Sequence, residues 1–132
     1  MIMSNETRIK TMRVFLSFNG IFLLFWWPLS HWFYPDFYHN LLGFTIGSYP
    51  DDLVKIIGTC GFIPVFLLFF SAINPLKNRD SIITLIIFAV LISMTYTYLI
   101  EKKGFPSLEF INVGFSLFSA VFLILFYPWK RK

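Results

Sequence analysis

Four apolar stretches constrain this chain more than any other feature of its sequence. They run over 14–34, 53–74, 82–100 and 108–127, and each is close to the roughly 20 residues that a helix needs to cross the hydrocarbon core of a bilayer. Composition agrees, because 57% of the 132 residues are hydrophobic and only 14% are charged, against about a quarter charged in an average soluble domain. The sequence therefore predicts an all-α membrane protein with four transmembrane helices.

The connectors are too short to form a second domain, since the longest covers only 35–52 and a domain usually needs about 50 residues or more. We therefore expect 1–132 to be a single four-helix transmembrane domain, arranged as an up-down bundle. At the end of the first span, Pro28 lacks an amide hydrogen and is expected to kink or loosen the helix.

The segment 35–44 has the pattern of a short amphipathic helix, with its apolar residues on one side of a helical wheel and its polar residues on the other. This pattern predicts a helix at about 35–43, lying in the membrane interface between the first and second spans. The apolar side comprises Phe37, Tyr38, Leu41, Leu42 and Phe44.

The basic residues predict the orientation of the bundle. Eight of the 11 lie on one side of a four-span path, and short loops rich in Lys and Arg stay in the cytoplasm. Both termini are therefore expected to be cytoplasmic, with a bacterial inner membrane as the setting. The net charge of +4 reflects this basic rim and does not indicate a nucleic-acid partner. The eight residues are Arg8, Lys10, Arg13, Lys77, Arg79, Lys130, Arg131 and Lys132.

Polar residues gather at the opposite, outer side and form the candidate ligand-binding site. Two histidines and a carboxylate are ligands that Zn²⁺ or Fe²⁺ accepts, but their spacing matches no established metal motif, so we expect a solvated polar face and no metal. Lys55 is expected to pair with Asp51 or Asp52 and to extend its amine to the interface, in preference to binding substrate. The candidate cluster comprises His31, Asp36, His39, Asn40, Asp51, Asp52, Lys55 and Glu109.

No catalytic constellation stands out, so an enzyme is the weakest of the function classes considered, and we predict no bound cofactor. The single cysteine, Cys60, has no partner for a disulfide or a CxxC redox pair. The chain resembles proton-coupled exporters of the small multidrug type in length and helix count, but it lacks the mid-membrane acid that those exporters need. Its two histidines lie at one rim, which argues against the paired axial ligands of a b-type cytochrome.

Small residues recur every four positions in the third and fourth spans, where they let helix backbones approach one another. The stripes are Ala89, Ser93 and Thr97 in the third span, and Asn112, Ser116 and Ala120 in the fourth. They pack the bundle internally or contact other membrane proteins. The sequence thus predicts an accessory or interaction subunit of a larger membrane assembly, in contact with lipids. The alternative is a binding or transport module for a small apolar ligand, such as a lipid or quinone, with a polar outer mouth.

Overall fold

The part of the chain that the structure describes is helical and contains no strand. The structure, a computed structural model, describes residues 4–45 and 47–129, so the predicted basic residues Lys130, Arg131 and Lys132 lie outside the described part. In chain order the elements are α1 (Asn5–Leu24), a π-helical turn (Phe25–Leu29), α2 (Ser30–Phe33), α3 (Pro35–Leu41), α4 (Asp51–Ile73), α5 (Arg79–Lys103), a 3₁₀ turn (Ser107–Glu109) and α6 (Phe110–Phe126).

Four helical segments are long and apolar enough to cross a membrane, which confirms the central prediction from the sequence. They are Asn5–Phe33, Asp51–Ile73, Arg79–Lys103 and Ser107–Phe126, with lengths of 29, 23, 25 and 20 residues. Large apolar side chains such as Phe18 and Ile63 project from them with more than half of their surface exposed. Because such side chains favour an apolar surrounding, these helices are suited to contact with membrane lipids.

The first span continues through its proline by changing helix type. Pro28 lies inside the π turn, where its missing amide hydrogen disrupts the α-helical pattern. The Ser30 hydroxyl donates to the carbonyl oxygens of Trp26 and Trp27 at 2.7 and 2.9 Å, and the Nδ1 atom of His31 lies 2.8 Å from the Trp27 oxygen. Two side chains thus satisfy backbone acceptors of this turn, and the span remains helical.

Glycines in α4 allow this π turn to approach closely. A Cβ atom built at Gly58 would lie 2.8 Å from the Cβ of His31, and one built at Gly61 would lie 2.9 Å from the Trp27 ring. Nearer to the Arg8 end of the same helix pair, a Cβ atom built at Gly20 would lie 3.0 Å from the Phe69 ring. The first span and α4 therefore pack closely, because the glycines leave room for the His31 Cβ and for the Trp27 and Phe69 rings.

The first span and α6, in contrast, are joined mainly by aromatic rings. Phe15 stacks on Phe122 with ring centroids 3.8 Å apart, and Phe22 contacts Phe115 at 4.7 Å. Helices α4 and α5 pack together, as do α5 and α6, at closer backbone approach. Rings are bulkier than the glycines of the α1–α4 contact, so they hold the first span and α6 further apart.

Contacts near the helix ends bring distant parts of the chain together. At one end, the Arg8 guanidinium donates to the carbonyl oxygen of Leu125 at 2.6 Å, and Arg79 lies over the Trp129 ring at 5.8 Å. A second set joins the α3–α4 connector to the α5–α6 connector, where the rings of Phe44 and Phe105 are 5.1 Å apart.

A compact apolar core lies towards the end that contains Arg8. It draws on the middle of α1, the second half of α4, the beginning of α5 and the end of α6. Several of its side chains, such as Leu16 and Ile82, are fully buried. The cluster comprises Met12, Leu16, Leu68, Ala72, Ile82, Leu85, Leu123 and Tyr127.

Candidate functional site

A cavity of about 80 Å³ begins where this core ends. Leu68, Leu85 and Leu123 belong both to the core and to the cavity wall. All four spans and the short helix α3 contribute side chains, and most of the wall is aromatic or aliphatic. Its polar side chains are Asn19, Tyr38, Tyr96, Asn112, Ser116 and Ser119.

Two of these polar residues carry buried atoms without a hydrogen-bond partner. They are the Nδ2 atom of Asn19, whose residue is only 3% exposed, and the Oγ atom of Ser119. Within the described residues the one other such side-chain atom is Ser71 Oγ. A buried polar group without a partner costs about 1–3 kcal/mol. Two residues of the cavity wall therefore carry polar atoms that the protein itself does not satisfy.

A polar network lies at the opposite end of the cavity. The indole Nε1 of Trp26 donates to Oδ1 of Asn112 at 2.7 Å, and Nδ2 of Asn112 donates to Oε2 of Glu109. The indole nitrogen can only donate, so the amide orientation of Asn112 follows from this contact. Glu109 itself is only 3% exposed. The network thus buries a carboxyl group directly behind the cavity wall.

The short helix α3 inserts Tyr38 into this end of the bundle. Tyr38 lies edge-on to Trp26 at a centroid distance of 5.4 Å and contacts the His31 ring at 4.7 Å. Burial raises the pKa of Tyr38 above its ordinary value, and the nearby Tyr96 and Glu109 raise it further, against contacts with Asn112 and Trp26. Tyr38 is therefore a neutral hydrogen-bonding group at physiological pH.

The residues predicted to form one apolar side of this helix divide between two environments. Tyr38 and Leu42 are buried in the protein, whereas Phe37 and Leu41 are 71% and 53% exposed. Helical periodicity identifies which residues lie near one another, but the neighbouring spans decide which of them they cover. Helix α3 consequently has one side in the bundle and another apolar side free of it.

The two histidines of the predicted outer cluster do come together. Their ring centroids are 5.2 Å apart, and the ring of His31 is buried while that of His39 is half-buried. The Nδ1 atom of His39 lies 2.7 Å from the Pro35 carbonyl oxygen, the same contact that His31 makes with Trp27. Because a carbonyl oxygen can only accept, each Nδ1 carries the hydrogen, and Nε2 is the free acceptor in the neutral rings.

Tyr49 contacts both Asp36 and His39 and so places Asp36 next to the two histidines. The Tyr49 hydroxyl donates to Oδ1 of Asp36 at 3.0 Å, and its ring lies 4.0 Å from that of His39. Partial burial raises the pKa of Tyr49 to about 12, and the adjacent Asp36 contributes to this shift. Burial lowers the pKa of His39, against the opposing effects of Pro35 and Asp36. This group therefore consists of two histidine rings and one tyrosine ring beside the exposed side chain of Asp36.

The other predicted site residues are dispersed. Asn40, Asp51 and Asp52 are exposed, and Lys55 is half-buried near the start of α4. The described residues include no ion pair between Lys55 and either aspartate. Glu109, predicted at the outer rim, is instead buried in the network with Asn112. No group of three or more His, Cys, Asp or Glu side chains in the described part of the chain could hold a metal ion.

Sequence reasoning did not join the residues that form the cavity. The sequence pattern predicts Asn112 in a packing stripe and Glu109 at the rim, although their spacing of three places them on one face of a helix. That spacing was the available signal for this pair. The structure also places Ala89 and Ser116, from the two predicted stripes, in the cavity wall.

Chemically, the arrangement can hold a small apolar group and offer it a few hydrogen bonds. Its volume exceeds the roughly 10–15 Å³ that one water requires and is below the roughly 150 Å³ of an engineered cavity that binds benzene. Comparisons of the chain with models of protein families, with curated proteins and with solved structures find no match.

Proposed function

We propose that this protein binds a small, mainly apolar molecule that carries a hydrogen-bonding group, inside its membrane-embedded bundle. The observation that supports this function is the cavity with the unpartnered atoms of Asn19 and Ser119. Sites for small molecules are typically apolar concave spaces with a few convergent polar groups. A ligand that accepts from Asn19 and bonds to Ser119 supplies hydrogen bonds that the bundle's own side chains do not.

The size of the cavity limits what enters it. At about 80 Å³ it has room for a small molecule or for the end group of a larger amphipath, such as a lipid or a quinone. The remainder of a larger ligand would extend towards the lipid phase. The predicted outer residues His39, Asp36 and Lys55 would lie around the entrance on the aqueous side.

We infer an up-down topology with both termini in the cytoplasm of a bacterial cell. The contact of Arg8 with Leu125 supports this topology, because it joins the beginning of the first span to the end of the fourth. The contact between Arg79 and Trp129 supports it in the same way for the beginning of the third span. Arg8 and Arg79 then lie on the basic, cytoplasmic side.

The short helix α3 is proposed to lie in the outer interface as well as closing the bundle. Its exposed Phe37 and Leu41 are suited to the acyl-chain boundary, while Tyr38 and Leu42 anchor it to the spans. Aromatic side chains such as Tyr34, which is 67% exposed, are common at this depth of a membrane. Movement of α3 would open a route to the cavity from the outer side.

The test compares two substitutions in α6. Ser116 lines the cavity, whereas Gly114 is exposed with open space around it, so Ser116→Leu fills the cavity and Gly114→Leu adds the same side chain outside it. After gentle extraction, native mass spectrometry should find a small molecule bound to the wild type and to Gly114→Leu, and much less bound to Ser116→Leu.

Two results would contradict the proposed function. Equal retention of the molecule by both variants would place its binding elsewhere. A stoichiometric protein partner without any retained small molecule would favour the accessory-subunit role instead.

A further inference from the structure

Glu109 is the buried acid that the proposed binding function leaves without a role. Its side chain is 3% exposed, and its carboxyl group accepts a hydrogen bond from Asn112. Among the described residues, the groups that act electrostatically on Glu109 are Asn112, Tyr38 and Tyr96, with no Lys or Arg. A buried carboxylate without a positive partner is costly, and one partner of opposite charge removes much of that cost.

Aromatic side chains surround the cavity end next to this acid. Trp26 lies beside Tyr38, Tyr38 and Tyr96 are both within electrostatic range of Glu109, and all three line the cavity. The faces of such rings carry partial negative charge and attract organic cations, most strongly where water is excluded. A buried acid and several rings therefore act on the same end of one cavity.

We propose that this end of the cavity binds an organic ammonium group. This proposal rests on the proposed binding function and adds the charge and chemical class of the ligand. The methyl or methylene groups of an alkylated ammonium contact the rings, and its charge is balanced by Glu109 across the Asn112 side chain. In a medium of low polarity a charge acts over several ångströms, so direct contact with the carboxylate is not required.

A metal cation fits this end of the cavity less well. Mg²⁺ and Ca²⁺ take six or more oxygen ligands, whereas the acid here is accompanied by one amide and by aromatic rings. The described residues contain no cluster of three metal-binding side chains. An ammonium group needs fewer oxygen ligands and gains from the rings, so it matches the lining better.

The experiment uses choline and 3,3-dimethylbutan-1-ol, in which carbon replaces the ammonium nitrogen at nearly constant shape. Binding of each is measured to the full-length protein in dodecyl maltoside, which supplies no ammonium group. We expect the wild type to bind choline at least about tenfold more tightly than the alcohol. Glu109→Gln should lower the affinity for choline on the order of 30-fold or more, since one member of a buried charge pair is removed.

The control is Glu101→Gln, which neutralises an exposed carboxylate near the end of α5 and should leave both affinities unchanged. Binding of the alcohol by Glu109→Gln shows that its cavity is intact. If Glu109→Gln does not fold, Tyr96→Leu and Tyr96→Phe replace it in the test. Choline affinity should then fall several-fold more in the leucine variant than in the phenylalanine variant, because only phenylalanine retains a ring.

The outcomes separate this inference from the function on which it rests. Equal affinity for choline and the alcohol, or a choline preference that survives Glu109→Gln, overturns the ammonium proposal and leaves the binding function standing. If neither choline nor the alcohol binds to the wild type, the result counts against the ammonium proposal and against the binding function. The source of the ammonium follows from competition experiments. If dihexanoyl-phosphatidylcholine displaces bound choline at a lower concentration than free choline does, and the phosphatidylglycerol analogue does not displace it, the ammonium belongs to a lipid headgroup. If free choline competes at a lower concentration than dihexanoyl-phosphatidylcholine, the ammonium belongs to a free molecule.

Discussion

Gly58→Ala should destabilise the bundle by separating the first span from α4. The new Cβ would lie 2.8 Å from the Cβ of His31 and 3.4 Å from the carbonyl oxygen of Pro28. Carbon atoms in good contact are about 3.5–4.0 Å apart. The Cβ of His31 is bonded directly to the backbone and cannot rotate away, so the helices themselves must move.

The size of the effect follows from two opposing contributions. Overpacking of this kind costs about 1–3 kcal/mol. Replacing a helical glycine by alanine returns up to about 1 kcal/mol. With the full gain in helix propensity, we expect the free energy of unfolding to fall by about 0–2 kcal/mol.

Unfolding is followed by circular dichroism as the protein is titrated from dodecyl maltoside into sodium dodecyl sulfate. The matched control is Gly114→Ala, where the same methyl group meets open space and only the gain in helix propensity applies. Gly114→Ala should be as stable as the wild type or slightly more stable. If Gly58→Ala matches Gly114→Ala, the close approach of the π turn to α4 does not stabilise the bundle as we infer.

Two further predictions concern the polar residues. Asn112→Leu leaves the Trp26 indole and the Glu109 carboxyl without their partner and should lower the free energy of unfolding by about 1–3 kcal/mol for each group; a near-neutral result in the same titration would contradict the network. Because burial lowers the pKa of His39, the unfolded chain takes up a proton more readily, and stability should decrease as pH falls below about 6.5. His39→Asn should reduce that slope, and an unchanged slope would assign it to another group.

The long helices could be predicted from the sequence because a bilayer leaves few alternatives. An apolar segment of about 20 residues satisfies its own backbone only as a helix, and four such segments are present. The same reasoning identified the effect of Pro28, since a missing amide hydrogen disturbs a helix in any surroundings. It did not identify Ser30 and His31 as side chains that bond the carbonyl oxygens of Trp26 and Trp27 in the π turn.

The cavity could not be predicted because it depends on how far apart the helices lie. Periodicity places Asn19 and Ser119 on helix faces, but it does not show whether a neighbouring side chain reaches them. That distance is set by the rings between the first span and α6, such as Phe15 on Phe122. Glu109 is a similar case, because a carboxylate at the start of a span is compatible with either an exposed or a buried position.

The satisfied histidines and the unsatisfied cavity residues together favour the cavity as the binding site. His31 and His39 each use Nδ1 to satisfy a backbone carbonyl, so both have a structural role. Asn19 and Ser119 have no such role, and their unpartnered atoms lower stability in the absence of a ligand. Apolar residues at these two positions would extend the core and stabilise the bundle. A bundle that binds a polar group between its helices regains the missing hydrogen bonds. Ligand binding therefore explains the polar residues at these two positions, which stability alone does not explain.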